Sequence, residues 1–131
     1  MAANLHDTDE PARPRVLIID DEQGVTVVLS RILRAMDVTV ARDGAAAREA
    51  LDDGLWDAVL CDLTLPDMTG AAVFEHATRA QRERFLFMTG GAVTPDAQRR
   101  LDACRAPILY KPFDASTLRA AVDRMTRDVR R

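Results

Sequence analysis

Cysteine is scarce in this chain. Cys61 and Cys104 are its two, and neither stands at a metal-binding or redox spacing from a partner. That excludes thiolate metal motifs and thiol exchange, and it predicts reduced, largely buried thiols. Long apolar runs are also missing: none approaches the roughly 18 residues a membrane span needs. The first residues, MAANLHDTDEPARPR, contain no signal-peptide apolar core, so a cytoplasmic location and no membrane partner are expected. Charge of one sign is absent too. The 18 basic and 21 acidic residues leave a net charge of −3, with no overall pull toward nucleic acid, and no direct nucleic-acid binding is expected. The basic tail Arg127, Arg130, Arg131 is broken by Asp128 and reads as a solvated helix end. There is no internal repeat, low-complexity tract or second domain. What remains is 131 residues, 47% hydrophobic and 30% charged, an ordinary soluble globular composition with length for one core.

Pro11 and Pro14 stand among charges, so residues 1–14 read as a flexible leader or linker and 15–131 as the folded domain. From Arg15 onward, strand and helix patterns alternate. VLII (16–19) is a short all-apolar run of the kind buried on both faces of a parallel sheet. Val25, Val28, Leu29, Ile32 and Met36 then fall at helical spacing and predict one apolar stripe. VTVA (38–41) is a weaker strand, Asp43-Gly44 a turn, and 45–51 an alanine-rich helix. AVLC (58–61) is a third strand, followed by a loop with Pro66, Asp67 and Gly70 and a helix over 71–79. FLFM (85–88) is a fourth strand, and Gly90-Gly91 forces an irregular exit from it. Thr94 with Pro95 marks a helix start, ILY (108–110) is a fifth strand, and a last helix begins near Asp114 with Leu118, Val122, Met125 and Val129 on one face. Five strands alternating with five helices predict a doubly wound α/β sandwich.

Four of the apolar runs end in a residue suited to phosphoryl chemistry. VLIID ends at Asp20 and continues into Asp21, AVLCD ends at Asp62, FLFMT at Thr89, and ILYK at Lys111 before Pro112. Parallel strands put their carboxyl ends on one edge, so the fold would gather three carboxylates, a hydroxyl and an ammonium in a single pocket. Clustered carboxylates repel one another and ask for a divalent cation, and Mg²⁺ prefers such hard oxygens. A carboxylate can also act as the nucleophile toward phosphorus. Singly, each residue has an ordinary explanation: a helix N-cap with a first-turn acid, a strand-end aspartate, a β-branched strand residue, a solvent lysine. Together those explanations weaken, because each residue directly follows its own apolar run. His6, in the leader, and His76, mid-helix in FEHATRA and far from any paired acid–base partner, read as bystanders. Trp56 and Phe74 read as core or helix-packing residues.

RVLIIDDE, LCDLTLPDMTG, FMTGG and ILYKPF resemble the receiver domain of two-component response regulators, over roughly residues 15–127. The spacing fits: 41 residues from Asp21 to Asp62, 27 to Thr89 and 22 to Lys111, with Pro66 and Gly70 four and eight positions after Asp62. The resemblance implies a flavodoxin-like five-stranded parallel sheet of order 2-1-3-4-5. It implies Asp62 as phosphoacceptor, charged from a phosphohistidine on a sensor histidine kinase or histidine phosphotransfer protein. Mg²⁺ would be held by Asp21, Asp62 and the backbone carbonyl of Thr64, with Asp20 acting mainly through water. Lys111 would contact the phosphoryl group, the Lys111–Pro112 bond would be cis, and Thr89 would be the switch hydroxyl. The output face would comprise 95–104, the fifth strand and 114–124, meeting a downstream protein or, in a weak homodimer, a second copy. Such a domain is a signalling module, not an enzyme, although it takes part in its own phosphorylation and dephosphorylation.

Two departures from the family pattern stand out. Many receivers carry an aromatic three residues before the lysine. Here that residue is Ile108, while Tyr110 sits directly before Lys111, so the usual threonine–aromatic coupling is in question. The combination looks closer to receivers of hybrid sensor kinases or single-domain regulators than to DNA-binding ones. Gly90, Gly91 and Thr64 also bring no carboxylate or amide to the pocket, which predicts slow self-dephosphorylation. Two other readings fit these residues less well. A phosphatase of the haloacid dehalogenase type needs a D-x-D pair on the first strand, and Asp20-Asp21-Glu22 does not supply it. A degenerate receiver used only as a surface is at odds with the intact acids, threonine and lysine.

Overall fold

The structure is a computed structural model and describes residues 13–91 and 93–127. The expected leader up to residue 12, His6, and the end of the chain with Asp128, Val129, Arg130 and Arg131 lie outside the described residues. Five strands form one parallel sheet: β1 (Arg15–Ile19), β2 (Asp37–Ala41), β3 (Ala58–Asp62), β4 (Phe85–Thr89) and β5 (Ile108–Tyr110). Their order is β2-β1-β3-β4-β5, the doubly wound flavodoxin-like arrangement read from the sequence. The helices are α1 (Gln23–Ile32), α2 (Gly44–Asp53), α3 (Gly70–His76), α4 (Arg79–Arg82), α5 (Pro95–Cys104) and α6 (Ala115–Thr126).

Strand alternation divides the core into two layers. Leu17, Ile19, Val59, Cys61, Phe85 and Phe87 face one side, where Ala47, Leu51, Val73, Phe74 and Leu101 cover them. Val16, Ile18, Ala58, Leu60, Leu86 and Met88 face the other, under Leu29 and Leu33 of the α1 region and Leu118 and Val122 of α6. Every residue of β3 and β4 is buried, which is why these strands read as unbroken apolar runs. Phe74, Phe85 and Phe87 meet at centroid distances of 5.1–5.8 Å, the Phe74–Phe85 pair edge to face. Trp56 is also buried, its indole N–H donating to the Ala50 carbonyl and the Arg15 guanidinium lying over its ring.

Two helix expectations need correction. Of the stripe expected on α1, Leu29 is buried and Val25, Ile32 and Met36 pack against the same core layer, Met36 from beyond the helix end, but Val28 is 53% exposed. The buried positions are Thr26, Leu29 and Leu33, because the Thr26 hydroxyl satisfies itself on the Gln23 carbonyl and can be enclosed. The helix expected over 71–79 breaks after His76. Thr78 adopts an extended conformation and forms a capping box with Gln81, starting α4. The Arg82 guanidinium reaches back to the Phe74 and Glu75 carbonyls that the break exposes. Other starts follow the sequence: Thr94 caps α5 with Pro95 in its first turn, and Asp114 caps α6.

Leu60 is fully enclosed on the central strand. Leu60→Ala is expected to lower unfolding stability by about 2–5 kcal/mol. Urea denaturation checks this through a reduced midpoint at unchanged slope, and a loss below about 1 kcal/mol would contradict the packing described.

Candidate phosphoryl-transfer site

The carboxyl ends of β1, β3, β4 and β5 converge on one edge, and the four strand-end residues meet there. Asp20 follows β1, and its amide is held by the Ala41 carbonyl of β2. Its side chain is completely buried, with Oδ1 accepting from the Glu22 N–H at 2.9 Å and Oδ2 3.3 Å from Lys111 Nζ. Asp62, the last residue of β3, is 9% exposed; its Oδ2 lies 3.8 Å from the same ammonium, and its Oδ1 accepts from the Thr64 N–H at 3.3 Å. Asp21 is exposed at the rim. One oxygen from each of Asp20, Asp21 and Asp62 lies within 4.8 Å of the others.

Lys111 is brought in from β5. Its amide donates to the Thr89 carbonyl at 2.6 Å, and its peptide bond to Pro112 is cis. The Lys111 stem passes close to Gly90: a Cβ there would stand 3.3 Å from Lys111 Cδ and 3.4 Å from its Cβ, a tight contact. Thr89 is buried, and its hydroxyl oxygen accepts from the Gly91 N–H at 3.4 Å. A cleft of about 470 Å³ opens beside these groups, reaching from Asp62, Thr64, Thr89 and Lys111 toward Leu101 and Arg100 on α5.

Burial pushes the Asp62 carboxyl above its ordinary value, and the Asp20 charge adds to that, against the pull of Lys111. Burial alone would lower the Lys111 ammonium, but the charges of Asp62 and Asp20 and the hydrogen bond to Asp20 hold it above its ordinary value. The Cys61 thiol, behind the site, is pushed well up by burial and then by Asp62 and Asp20. Three carboxylates against one ammonium leave a surplus of two negative charges, which a dication would cancel. The donor set is hard oxygen, and its spread is close to the roughly 4 Å across a Mg²⁺ shell. The residues therefore fit magnesium.

Three contacts escaped the sequence reading. Glu22 Oε1 lies 3.7 Å from Lys111 Nζ, a role signalled only by its place directly after the aspartate pair. His76 is not without an acid partner, as expected from its position: its Nε2 lies 2.8 Å from Asp52 Oδ1 on α2, a contact no local pattern announces. The loop after Asp62 is tied to α2 through Asp67. At β5, the register sets Ile108 opposite Phe87 and Tyr110 opposite Thr89. Ile108 is half-buried against the core layer containing Leu101, and Tyr110 is 62% exposed.

Residues 16–123 match the family described as response regulator receiver domain. This chain belongs to the response regulator receiver family. Among relatives, the receiver is 31% identical over 116 residues to the transcriptional regulatory protein DltR of Streptococcus agalactiae, covering 86% of this chain and 52% of DltR. It is 33% identical over 123 residues to the aerobic respiration control sensor protein ArcB of Escherichia coli, covering 88% of this chain and 16% of ArcB. The chain thus spans about half or less of these relatives. Among solved structures it resembles the receiver domain of the sensor histidine kinase PA1611 of Pseudomonas aeruginosa, with 27% identity and a TM-score of 0.77 over 89% of this chain and 100% of that one. That structure holds a magnesium ion in its active-site cleft. The receiver is also similar to the chemotaxis protein CheY4 of Vibrio cholerae, with 26% identity and a TM-score of 0.75 over 87% of this chain and 99% of that one.

The crowding of buried like charge has a measurable effect in metal-free receiver. For an acid whose folded pKa is raised, the native state binds more protons than the unfolded chain, so stability falls as pH rises from the ordinary carboxylate range toward the folded value. Above that window the loss is constant. In chelator at neutral pH, Asp62→Asn is expected to raise the thermal midpoint by roughly 2–5 °C, the shift about 1 kcal/mol produces in a domain of this size. Calorimetry with EDTA checks this, and a lower midpoint would contradict it.

Proposed function

We propose that this receiver takes a phosphoryl group on Asp62 from a phosphohistidine of a sensor kinase or histidine phosphotransfer protein, and that phosphorylation changes its protein-binding surface. The observation that carries this is the meeting of Asp20, Asp21, Asp62, Thr89 and Lys111 at one sheet edge, beside an open cleft. In the transfer, an Asp62 carboxylate oxygen forms the new bond to phosphorus as the histidine nitrogen–phosphorus bond breaks, its electron pair leaving with the imidazole. Lys111 opposes the burial and the Asp20 charge that disfavour the Asp62 carboxylate, and it meets the incoming phosphoryl oxygens as a compact point charge. The Thr89 hydroxyl donates a hydrogen bond to one of them. Asp20, Asp21, Asp62 and the Thr64 carbonyl would hold Mg²⁺, with Asp20 acting mainly through water; the ion supplies charge neutralisation for the transferred group.

Phosphorylation biases a pre-existing equilibrium instead of building a new fold. The face that reads it out is α5, β5 and α6, and its downstream partner is a protein. With Ile108 beside Phe87 and Tyr110 beside Thr89, the side chain placed to sense Thr89 directly is Tyr110. The module is cytoplasmic and acts on no separate substrate. Thr64 and Gly91, both at the rim, offer no carboxylate or amide to orient an attacking water, which favours a long-lived acyl phosphate.

Incubation with acetyl phosphate and Mg²⁺ is expected to add one phosphoryl group to the wild type and none to Asp62→Asn, read by intact mass. Wild type that takes up no group in the presence of Mg²⁺ would refute the phosphoacceptor assignment. After donor removal the acyl phosphate should persist for minutes or longer; decay within seconds would overturn the slow-hydrolysis reading.

A further inference from the structure

The loop between Asp62 and α3 is closed upon itself and then fastened to a different helix. Internally, Thr64 and Thr69 form an antiparallel bridge, the Leu65 N–H donates to the Met68 carbonyl at 3.0 Å, and the Gly70 N–H donates to the Leu63 carbonyl at 2.8 Å. A Cβ on Gly70 would collide with the Asp62 carbonyl, so the loop folds back tightly against the end of β3. These bonds make residues 63–70 one rigid piece. At its tip, Asp67 reaches the first turn of α2, with Oδ1 accepting from the Gly44 N–H at 2.7 Å and Oδ2 from the Ala45 N–H at 3.0 Å. Asp43 takes the Ala46 N–H at 2.7 Å, so two carboxylates satisfy three leading amides of that helix. Met68 lies over Gly44, where a Cβ would overlap its side chain, and packs into the core beside it.

We propose that Asp67 is a positioning residue for phosphoryl transfer: its two hydrogen bonds to α2 set the loop that aims the Asp62 carboxylate and the Thr64 carbonyl. This rests on the reading of Asp62 as phosphoacceptor and magnesium ligand. Asp67 touches none of the reacting groups. The transmission is short: Thr64 donates its N–H to Asp62 Oδ1 and is bridged to Thr69, so a shift of the loop tip is a shift of the Asp62 carboxylate. The helix end suits the task. Its amides carry the positive end of the helix dipole, and they hold the Asp67 carboxyl below its ordinary range, the Gly44 N–H foremost. A helix seated in the core through Ala47 and Leu51 is a firmer anchor than an exposed loop can provide for itself.

The test compares wild type, Asp67→Ala, Asp67→Asn and Thr78→Ala. The last removes the cap of α4, which is remote from the site, and reports what plain destabilisation does. Mg²⁺ affinity is measured by calorimetric titration, phosphorylation rate with acetyl phosphate, and the amide shifts of Thr64 and Leu65 by NMR without metal. Asp67→Ala is expected to weaken Mg²⁺ about tenfold, as loss of a group orienting a ligand does, and to slow phosphorylation in step. Asp67→Asn keeps one acceptor oxygen and should fall between. In both, the Thr64 and Leu65 amides should shift, whereas Thr78→Ala should lower the thermal midpoint and leave affinity, rate and those amides unchanged. Wild-type affinity and rate in Asp67→Ala overturn the positioning role alone. A wild type that neither binds Mg²⁺ nor takes up phosphate overturns the underlying reading as well. Equal losses in Asp67→Ala and Thr78→Ala would show a general stability effect and refute the proposal.

Discussion

Holding like charges together against their repulsion is the constraint on which this structure turns. Asp20 is wholly enclosed and Asp62 nearly so, yet both carboxylates share a single ammonium from the far side of the sheet. A charge buried without a partner costs far more than one salt bridge returns. In this sheet β1 and β3 are adjacent and β5 lies beyond β4, and the long Lys111 side chain spans back to both acids. Its stem passes close over Gly90.

The surroundings of the charge cluster are correspondingly stiff. Behind it lie the two buried apolar core layers, with the aromatic cluster of Phe74, Phe85 and Phe87 under one face. In front of it the loop 63–70 is bonded to itself and to α2. The open direction is toward the cleft between the β4 exit and α5, where Gly90 and Gly91 bring no side chains. A rigid back and an accessible front are what a site needs if catalysis is mostly positioning and charge neutralisation.

Much of this was legible because parallel strands buried on both faces write themselves as continuous apolar runs. β1, β3 and β4 are legible almost residue for residue, and the residues that meet at the sheet edge stand out because each closes such a run. Spacing then narrowed a generic phosphoryl site to the receiver family. What escaped reading depends on contacts between distant segments. The break after His76 lies in a sequence with good helical propensity, and it is enforced by the Thr78–Gln81 box and the reach of Arg82. On α1 the sequence pattern places Val25, Leu29, Ile32 and Met36 correctly but not Val28, because a threonine that satisfies its own hydroxyl, Thr26, takes a core position that hydropathy assigns to valine. His76 with Asp52, and Asp67 with α2, join positions more than 20 residues apart, beyond any periodic signal.

Cys61 sits within this arrangement with a consequence of its own. Its thiol lies one residue before Asp62, has no exposure, and is made harder to ionise by burial and by the acids beside it. The thiolate is the reactive species, so in the native state this sulfur is closed to alkylating reagents and oxidants alike. Cys104, half-buried on α5, is far less protected. The molecule thus carries two internal reporters on separate scales. Labelling at Cys104 samples the folded surface, while labelling at Cys61 counts the rare excursions in which the sheet itself parts.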